Sequence, residues 1–451
     1  MQESLVHDEE RYVITGRGCV TSLGATVGET MDAVYAGESG IGLLKPEIAD
    51  AYPQLGIYVA APVTEFDLDL KDEPLLDDLK FADLRRTYTA ARYSLKASAQ
   101  ALSESGIVDL EARKVGLNGV ISPRRIGVSM GTGIGGADLI GEYKRKIDGG
   151  GKLTPPDVLR VLLERVATSV SMQFNVKGPV KSVNAACATG IMNIINGVEM
   201  LRLGRADAMI VGGAEAQITP INLALFAPTT ALDKSTDPSI ASRPFHKDRK
   251  GFVMGEGAGV MVIETLKHVL ETNREDKILG EIIGYAETSD AKDATSPSGE
   301  GALDAMRIAL SDLALDESVA VSFNAHSTGT GGDEVELRAI DDLVRQHPEL
   351  VSRDQLHGIY GPKGAFGHSL GAAGTVESLL AVESILRHEL PPSLKLGDDL
   401  SNMVEMAAEL PITPSYATRV PQDREMVVVK NSFGFGGLNA VLAISRYIPQ
   451  H

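Results

Sequence analysis

The chain reads as an α/β protein, and three observations predict it. Strand-like apolar runs alternate with longer helix-like ones along most of its length, which is the pattern of strands covered by helices. A second order repeats: a β-run leads to NAACATG (184–190) and its helix in the first half, and VAVSFNAH (319–326) leads to the helix pattern GGDEVELRAIDDLVRQ in the second. The half ends also correspond, GEGAGVMVIETL (255–266) with GFGGLNAVLAIS (434–445), which points to a duplicated unit. With 451 residues and 43% hydrophobic content, the chain can bury one large core or two joined ones.

Taken in order, RYVITGRGCVTSLG (11–24) is a β-rich opening run, and its Cys19 is expected to be core packing. Residues from about 44 to 80 are acidic and rich in Pro, Asp and Leu without a period, so they read as a surface insertion or cap. VKGPVKSVNAA (176–186) is a loop feeding a short strand, and the helix after Cys187 is marked by Ile191, Ile194, Ile195 and Val198. The polar run KHVLETNREDK (267–277) is the expected junction, dividing the chain into residues 1–267 and 268–451. Low-complexity tracts are absent.

The chemistry begins at Cys187. Small residues around it allow a sharp strand-to-helix turn and leave room for a bulky thioester to reach the sulfur. First-turn amides and the helix dipole are expected to favour the thiolate. A buried, inert cysteine is the competing reading. His326 in NAHSTGTGGDEVE and His368 in GPKGAFGHSLGAAG each end a short apolar run and precede small residues. A neutral imidazole held through one nitrogen by the backbone can donate its N–H to a developing oxyanion or enolate, although each histidine could also be structural. No closely spaced Cys/His cluster occurs in the sequence, so no metal site is expected. GTGIGG (131–136) and NSFGFGGLNA (431–440) are glycine-rich, but neither has the context of a dinucleotide fingerprint.

NAACATG, NAHSTGT, GPKGAFGH and NSFGFGGLNA resemble, in order and approximate spacing, the β-ketoacyl-acyl-carrier-protein synthases, condensing enzymes of the thiolase fold. VTSLG, GTGIGG, VGGAEA (211–216), SRPFHKDRKGFVMGEGAG (242–259) and TSDAKDATSP (288–297) agree, so the resemblance runs from about Arg11 to Tyr447. It implies a five-layered αβαβα sandwich of two βαβαβαββ halves, the nucleophile in the first and both histidines in the second. It implies decarboxylative Claisen condensation: Cys187 takes the acyl chain as a thioester, and His326 and His368 support loss of carbon dioxide from a malonyl-carrier protein. Lys363 corresponds to a lysine that orders the histidines, with Glu336 its expected ionic partner. The amides of Phe435 and Cys187 would form the oxyanion hole, the Phe435 ring would gate the second substrate, and Phe433 would be core. Thr295, five residues past Asp290, and Thr328 and Thr330 correspond to positions lining the pantetheine tunnel, local turn bonding being the other reading. Ile134 matches a position lining the acyl pocket.

One departure stands out: HSTGTGGDEVE is one residue shorter than the usual family loop between Thr330 and Asp333, which puts the placement of Asp333 and Glu336 in question. No dissociable cofactor is implied, since the phosphopantetheine belongs to the carrier protein. That partner is acidic, so docking on a chain of net charge −18 needs a basic patch, for which Arg85, Arg86, Arg249 and Lys250 are the candidates. The same charge argues against nucleic-acid binding, and the absence of a run of about 18 apolar residues argues against a membrane span. The polar opening MQESLVHDEERYVITG does not read as a secretion signal. Two cysteines, one needed free, suit a reducing cytoplasm, and a homodimer is expected from the resemblance. The alternatives are a polyketide ketosynthase using the same residues, a non-catalytic chain-length partner subunit, and a degradative thiolase, which would need a second cysteine near GFGGLNA.

Overall fold

Two successions of the same eight elements build the molecule. The computed structural model describes residues 11–64, 70, 73, 75–76, 86–109, 114–115, 121–397 and 400–449. The first succession is β1 (Tyr12–Val20), α1 (Thr89–Ser105), β2 (Ile126–Gly131), α2 (Arg165–Gln173), β3 (Val180–Lys181), α3 (Thr189–Arg202), β4 (Ala208–Glu215) and β5 (Gly257–Thr265). The second is β6 (Gly280–Ser289), α4 (Glu300–Leu310), β7 (Ala320–Asn324), α5 (Gly332–Gln346), β8 (Leu356–Tyr360), α6 (Ala373–Arg387), β9 (Met426–Gly434) and β10 (Leu438–Ser445). The short helix Leu266–Glu271 lies between them.

Strand order is β8-β7-β9-β10-β6-β1-β5-β4-β2-β3, which reads the same way outward from its centre in both halves. The two five-strand halves join where Tyr12–Ile14 of β1 pair antiparallel with Gly280–Ile282 of β6. β2 is parallel to both β3 and β4, β7 is parallel to both β8 and β9, and the last strand of each half runs antiparallel. Parallel strands need helical crossovers, and these cover both faces. Strands such as MIVGG in β4 and MVVV in β9 are therefore apolar throughout and buried, without the alternation of a half-exposed sheet.

Five layers result. α1 and α2 pack outside the first half-sheet, α4 and α5 outside the second, and α3 and α6 lie between them. Ile191, Ile194 and Val198 of α3 meet Val376, Leu379 and Leu380 of α6 in the central core, with Met261 and Ile263 from β5 and Leu442 and Ile444 from β10. The stripe read around Cys187 is thus the central layer. Two glycines let these helices touch at their N-termini: a Cβ on Gly190 would lie 2.5 Å from the Thr375 nitrogen, and one on Gly374 2.9 Å from the Ile191 nitrogen. This crossing sets Cys187 and His368 on one face of the molecule.

The Pro- and Asp-rich insertion is more than a surface feature. Leu44, Ile57 and Ala60 are buried in the apolar cluster that contains Cys187. The stretch 65–69 and most of 71–85, with Arg85, lie outside the described residues. No described helix is long and apolar enough to cross a membrane.

Candidate active site

Cys187 is the middle residue of a single 3-10 turn, Ala186–Ala188, that runs straight into α3. Ala186 takes a φ of 48°, a left-handed conformation that costs energy in any residue with a Cβ and is kept where the surroundings fix it. The turn is tied by the Ala185 N–H on Thr189 Oγ1 at 2.8 Å and the Ala188 N–H on the Ala185 carbonyl at 3.0 Å.

His368 follows the short helix Lys363–Phe366, and its backbone bridges to Val253 and Gly255 through bonds of 2.8 and 3.0 Å. Its Nε2 lies 3.1 Å from Cys187 Sγ. The His326 ring meets the His368 ring edge to face at 5.4 Å. The sulfur and one nitrogen from each imidazole fall within 4.8 Å of one another, although the sequence shows no such cluster. Among the described residues this is the one donor set that could share a soft cation, and the nearby Lys363 and Lys430 act against positive charge on its two rings. The backbone partner expected for the second ring nitrogen is not found: neither Nδ1 has a hydrogen-bond partner among the described residues.

Burial pushes the Cys187 thiol up to about 12, with Lys363 opposing. Burial thus works against the thiolate expected from the helix terminus. Burial, reinforced by Lys363 and Lys430, holds both imidazoles well below their ordinary value. The site so buried favours a neutral thiol beside two neutral imidazoles.

The ion pair read for Lys363 is corrected. Its ammonium meets Glu377 Oε1 at 2.6 Å and donates to the His326 carbonyl at 2.5 Å. Glu336 instead accepts the N–H groups of His326 and Ser327, both at 2.8 Å, and Asn431 Nδ2 at 3.0 Å. The shortened loop is held by the other doubtful carboxylate as well: Asp333 accepts the Phe245 N–H at 2.9 Å and the Gly329 N–H at 3.0 Å. Lys430, fully buried, takes the second Glu377 oxygen at 2.6 Å. Sequence reasoning missed both Glu377 and Lys430. The available signal was a charged residue inside an apolar run, AGTVESLLAV for one and MVVVKN for the other.

Glu215, in the VGGAEA motif, is a further omission. Fully buried, it accepts from Thr132 Oγ1 at 2.7 Å, from the Gly133 N–H at 2.5 Å and from the Gly371 N–H at 3.1 Å. This carboxylate ties the loop carrying Ile134 to the turn after His368. Ile134 itself is partly buried against the apolar cluster of Cys187, Ile218, Leu223 and Leu370.

A cavity of about 980 Å³ opens above Cys187 and both histidines, with Thr295, Thr328 and Thr330 on its walls. The threonines make local turn bonds: Thr328 and Thr330 share a 2.9 Å hydroxyl contact, and the Thr295 hydroxyl donates to Asp293 at 3.1 Å. Asp290 accepts from Ser298 and Asn439, each at 2.8 Å, which fixes this loop against the turn after Phe435. Phe435 is 39% exposed and stacks on Phe226 at 6.5 Å. Phe433 packs partly into the core, as read, and also presents its ring to His326 at 5.7 Å and lines the cavity. Cys19 is fully buried in the core.

At the cavity mouth, Lys247 and Lys250 are exposed. Arg249 is held inward, bonded to Glu334 and to the Thr330 carbonyl, each at 2.6 Å. Arg86 is exposed and lies outside the cavity lining.

Comparison with known proteins agrees with this geometry. The beta-ketoacyl synthase N-terminal domain matches residues 9–268 and the corresponding C-terminal domain residues 279–397. The 3-oxoacyl-[acyl-carrier-protein] synthase 2 of Coxiella burnetii is 34% identical over 97% of this chain and 99% of its own. A beta-ketoacyl synthase structure from Burkholderia phymatum superposes with a TM-score of 0.83 at 28% identity, over 97% of this chain and all of that one. A type II polyketide ketosynthase solved with its acyl-carrier protein shares the fold, with a TM-score of 0.79 at 22% identity over 97% and 99% of the two chains. A cysteine on a strained turn, two neutral histidines and a thiolase-like sandwich of two like halves therefore go together, and the chain belongs to the beta-ketoacyl synthase family.

Proposed function

We propose that this protein is a 3-oxoacyl-[acyl-carrier-protein] synthase that elongates a Cys187-bound acyl chain with two carbons from malonyl-carrier protein. One observation carries the reading: Cys187 Sγ stands 3.1 Å from His368 Nε2, with His326 beside it, at the floor of a wide cavity. In the first half-reaction the sulfur attacks the carrier thioester as its proton passes to His368 Nε2. The S–C bond forms, and the pantetheine thiol leaves with that proton. Malonyl-carrier protein then loses carbon dioxide, and the enolate oxygen accepts the N–H of the neutral His326 imidazole, with the His368 ring packed against it. The enolate carbon attacks the acyl carbon, the C–S bond breaks, and the thiolate takes up a proton.

Neutral imidazoles suit this role, since a charged pair so deep would be costly and could not persist through the cycle. In this reading the Cys187 and Phe435 amides receive the tetrahedral oxyanion and Ile134 bounds the acyl chain. Phe435, beside Gly436 and Gly437 with φ of 88° and 73°, gates the second substrate. Thr295, Thr328 and Thr330 face the pantetheine arm, and Lys247, Lys250, Arg85 and Arg86 meet an acidic carrier protein. Arg249 supports the Thr330 loop. A homodimer working in the cytoplasm, with no dissociable cofactor, completes the proposal.

The test is condensation of malonyl-carrier protein with a ladder of acyl-carrier proteins, using wild type, Cys187→Ala and His326→Ala. Elongation of straight chains, lost on loading in the first variant and on decarboxylation in the second, supports the proposal. If wild type accepts only polyketide intermediates, the polyketide ketosynthase reading replaces it. If wild type loads nothing, the chain is a partner subunit.

A further inference from the structure

β9 carries a lysine among valines, and nothing in the reaction outlined above uses it. A fully buried ammonium must find oxygens or lose its charge. Lys430 Nζ finds four: Glu377 Oε2 at 2.6 Å, the carbonyls of Asn324 at 3.3 Å and Ala325 at 3.4 Å, and the carbonyl of its neighbour Asn431. Lys363 approaches the same carboxylate from the other side and holds the next carbonyl, that of His326, at 2.5 Å. Three successive carbonyls, Asn324, Ala325 and His326, thus rest on two ammonium groups. The N–H groups of His326 and Ser327 rest on Glu336, which also takes the Asn431 side chain. Lys430 therefore holds the two carbonyls before His326, and Asn431 braces the carboxylate that accepts the His326 N–H.

Charge points the same way. Lys363 and Lys430 balance Glu336 and Glu377, all four buried. Without Lys430 the cluster keeps an unmatched carboxylate behind the imidazoles, and a lone buried charge is far more costly than a paired one. Lys430 also adds to the burial and to the Lys363 charge that keep both histidines neutral.

We infer that Lys430 is a positioning residue: an internal cation that fixes the Asn324–His326 backbone and balances the second carboxylate, so that the His326 ring is held for the decarboxylation half of the reaction. Its backbone bonds hold the segment before His326 and not that of His368, the ring bonded to Cys187 Sγ, so acyl loading is expected to depend on it far less. The inference rests on the condensation reading above, and its test separates the two.

Wild type, Lys430→Ala and Lys430→Gln are compared in two assays, acyl transfer from acyl-carrier protein to Cys187 and carbon dioxide release from malonyl-carrier protein. Each is run with ammonium chloride and, at equal ionic strength, with tetramethylammonium chloride, whose cation is too large for the vacated site. Carbon dioxide release is expected to fall about tenfold to a hundredfold in Lys430→Ala, with loading within about twofold of wild type. Ammonium ion is expected to restore part of the loss and tetramethylammonium none. If loading and decarboxylation fall together, or ammonium restores nothing, Lys430 only fills the core and the inference is overturned. If Lys430→Ala does not fold, Lys430→Gln carries the same comparison of the two assays, and an equal decline in both overturns it. Failure of wild type itself to release carbon dioxide would sink the condensation reading instead.

Discussion

The turn that holds Cys187 and the turn that holds Gly371 share one backbone design. Each is a single 3-10 turn, Ala186–Ala188 and Leu370–Ala372, leading into a helix of the central layer. Each opens on a residue with a Cβ at positive φ, Ala186 at 48° and Leu370 at 39°. Each helix has a glycine at its second position, Gly190 or Gly374, seated on the backbone of the other helix. Only the middle residue differs in kind. In the first half it is the proposed nucleophile; in the second the missing side chain lets the backbone press against the Ile134 loop. A Cβ on Gly371 would lie 2.4 Å from the Gly133 nitrogen, and the Gly371 N–H donates to Glu215. One strained turn occurs twice, once carrying Cys187 and once seating the Ile134 loop.

Moving the thiol has the largest expected effect. Cys187→Ala is expected to lower condensation by on the order of 10⁴-fold or more, and adding Gly371→Cys is expected to restore none of it. Intact-mass measurement of the acylated protein decides this, since any acyl group found at position 371 would show the turns to be interchangeable. Next comes the space at the twin position. Gly371→Ala should cost ~1–3 kcal/mol of stability from overpacking, seen as a lower Tm. The Ile134 loop would move with it, so elongation should fall more for long acyl chains than for short ones. Unchanged chain-length preference would separate Gly371 from the acyl pocket.

Glu215→Gln asks how firmly that floor is held. One amide oxygen and one NH₂ cannot replace a carboxylate that accepts from several donors, and a loss of about 1–3 kcal/mol is expected in denaturant melts. The protonation state of Cys187 is a milder test. A thiol near 12 is almost wholly protonated at neutral pH, and raising the pH raises its reactive fraction. Alkylation by iodoacetamide should therefore climb about tenfold per pH unit from 7 to 9; a plateau in that range would reveal a thiolate–imidazolium pair. Cys19→Ala should do least, with activity unchanged and stability lower by about 1 kcal/mol for the small side chain lost from the core.

Much of the site was legible because its signals are local. The glycines and alanines around Cys187 marked a tight turn, and Ile191, Ile194, Ile195 and Val198 marked a buried helix; both are present. His326 and His368 announced themselves by ending apolar runs before small residues. Glu336 was misassigned because its neighbour in space, the His326 backbone, offers two amides that compete with an ammonium on another element. Glu377 and Lys430 were passed over because each sits in a run whose apolar residues drown one charge. The helix start at Cys187 can be seen in a sequence, whereas the depth of burial that pushes its thiol up cannot.

The amino-acid sequence by itself determined the alternation of strands and helices, the repeat of the two halves and the residue types that do the chemistry. Those depend on periodicity, turn-forming residues and side-chain reactivity, all properties of short stretches. Which carboxylate meets which lysine, how deeply the thiol is buried, and the meeting of two strained turns across the central helices come only with the folded chain. Those follow from close packing between β7, β9, α6 and the loops around them, where a few tenths of an ångström and the exclusion of water set the energy of every buried charge.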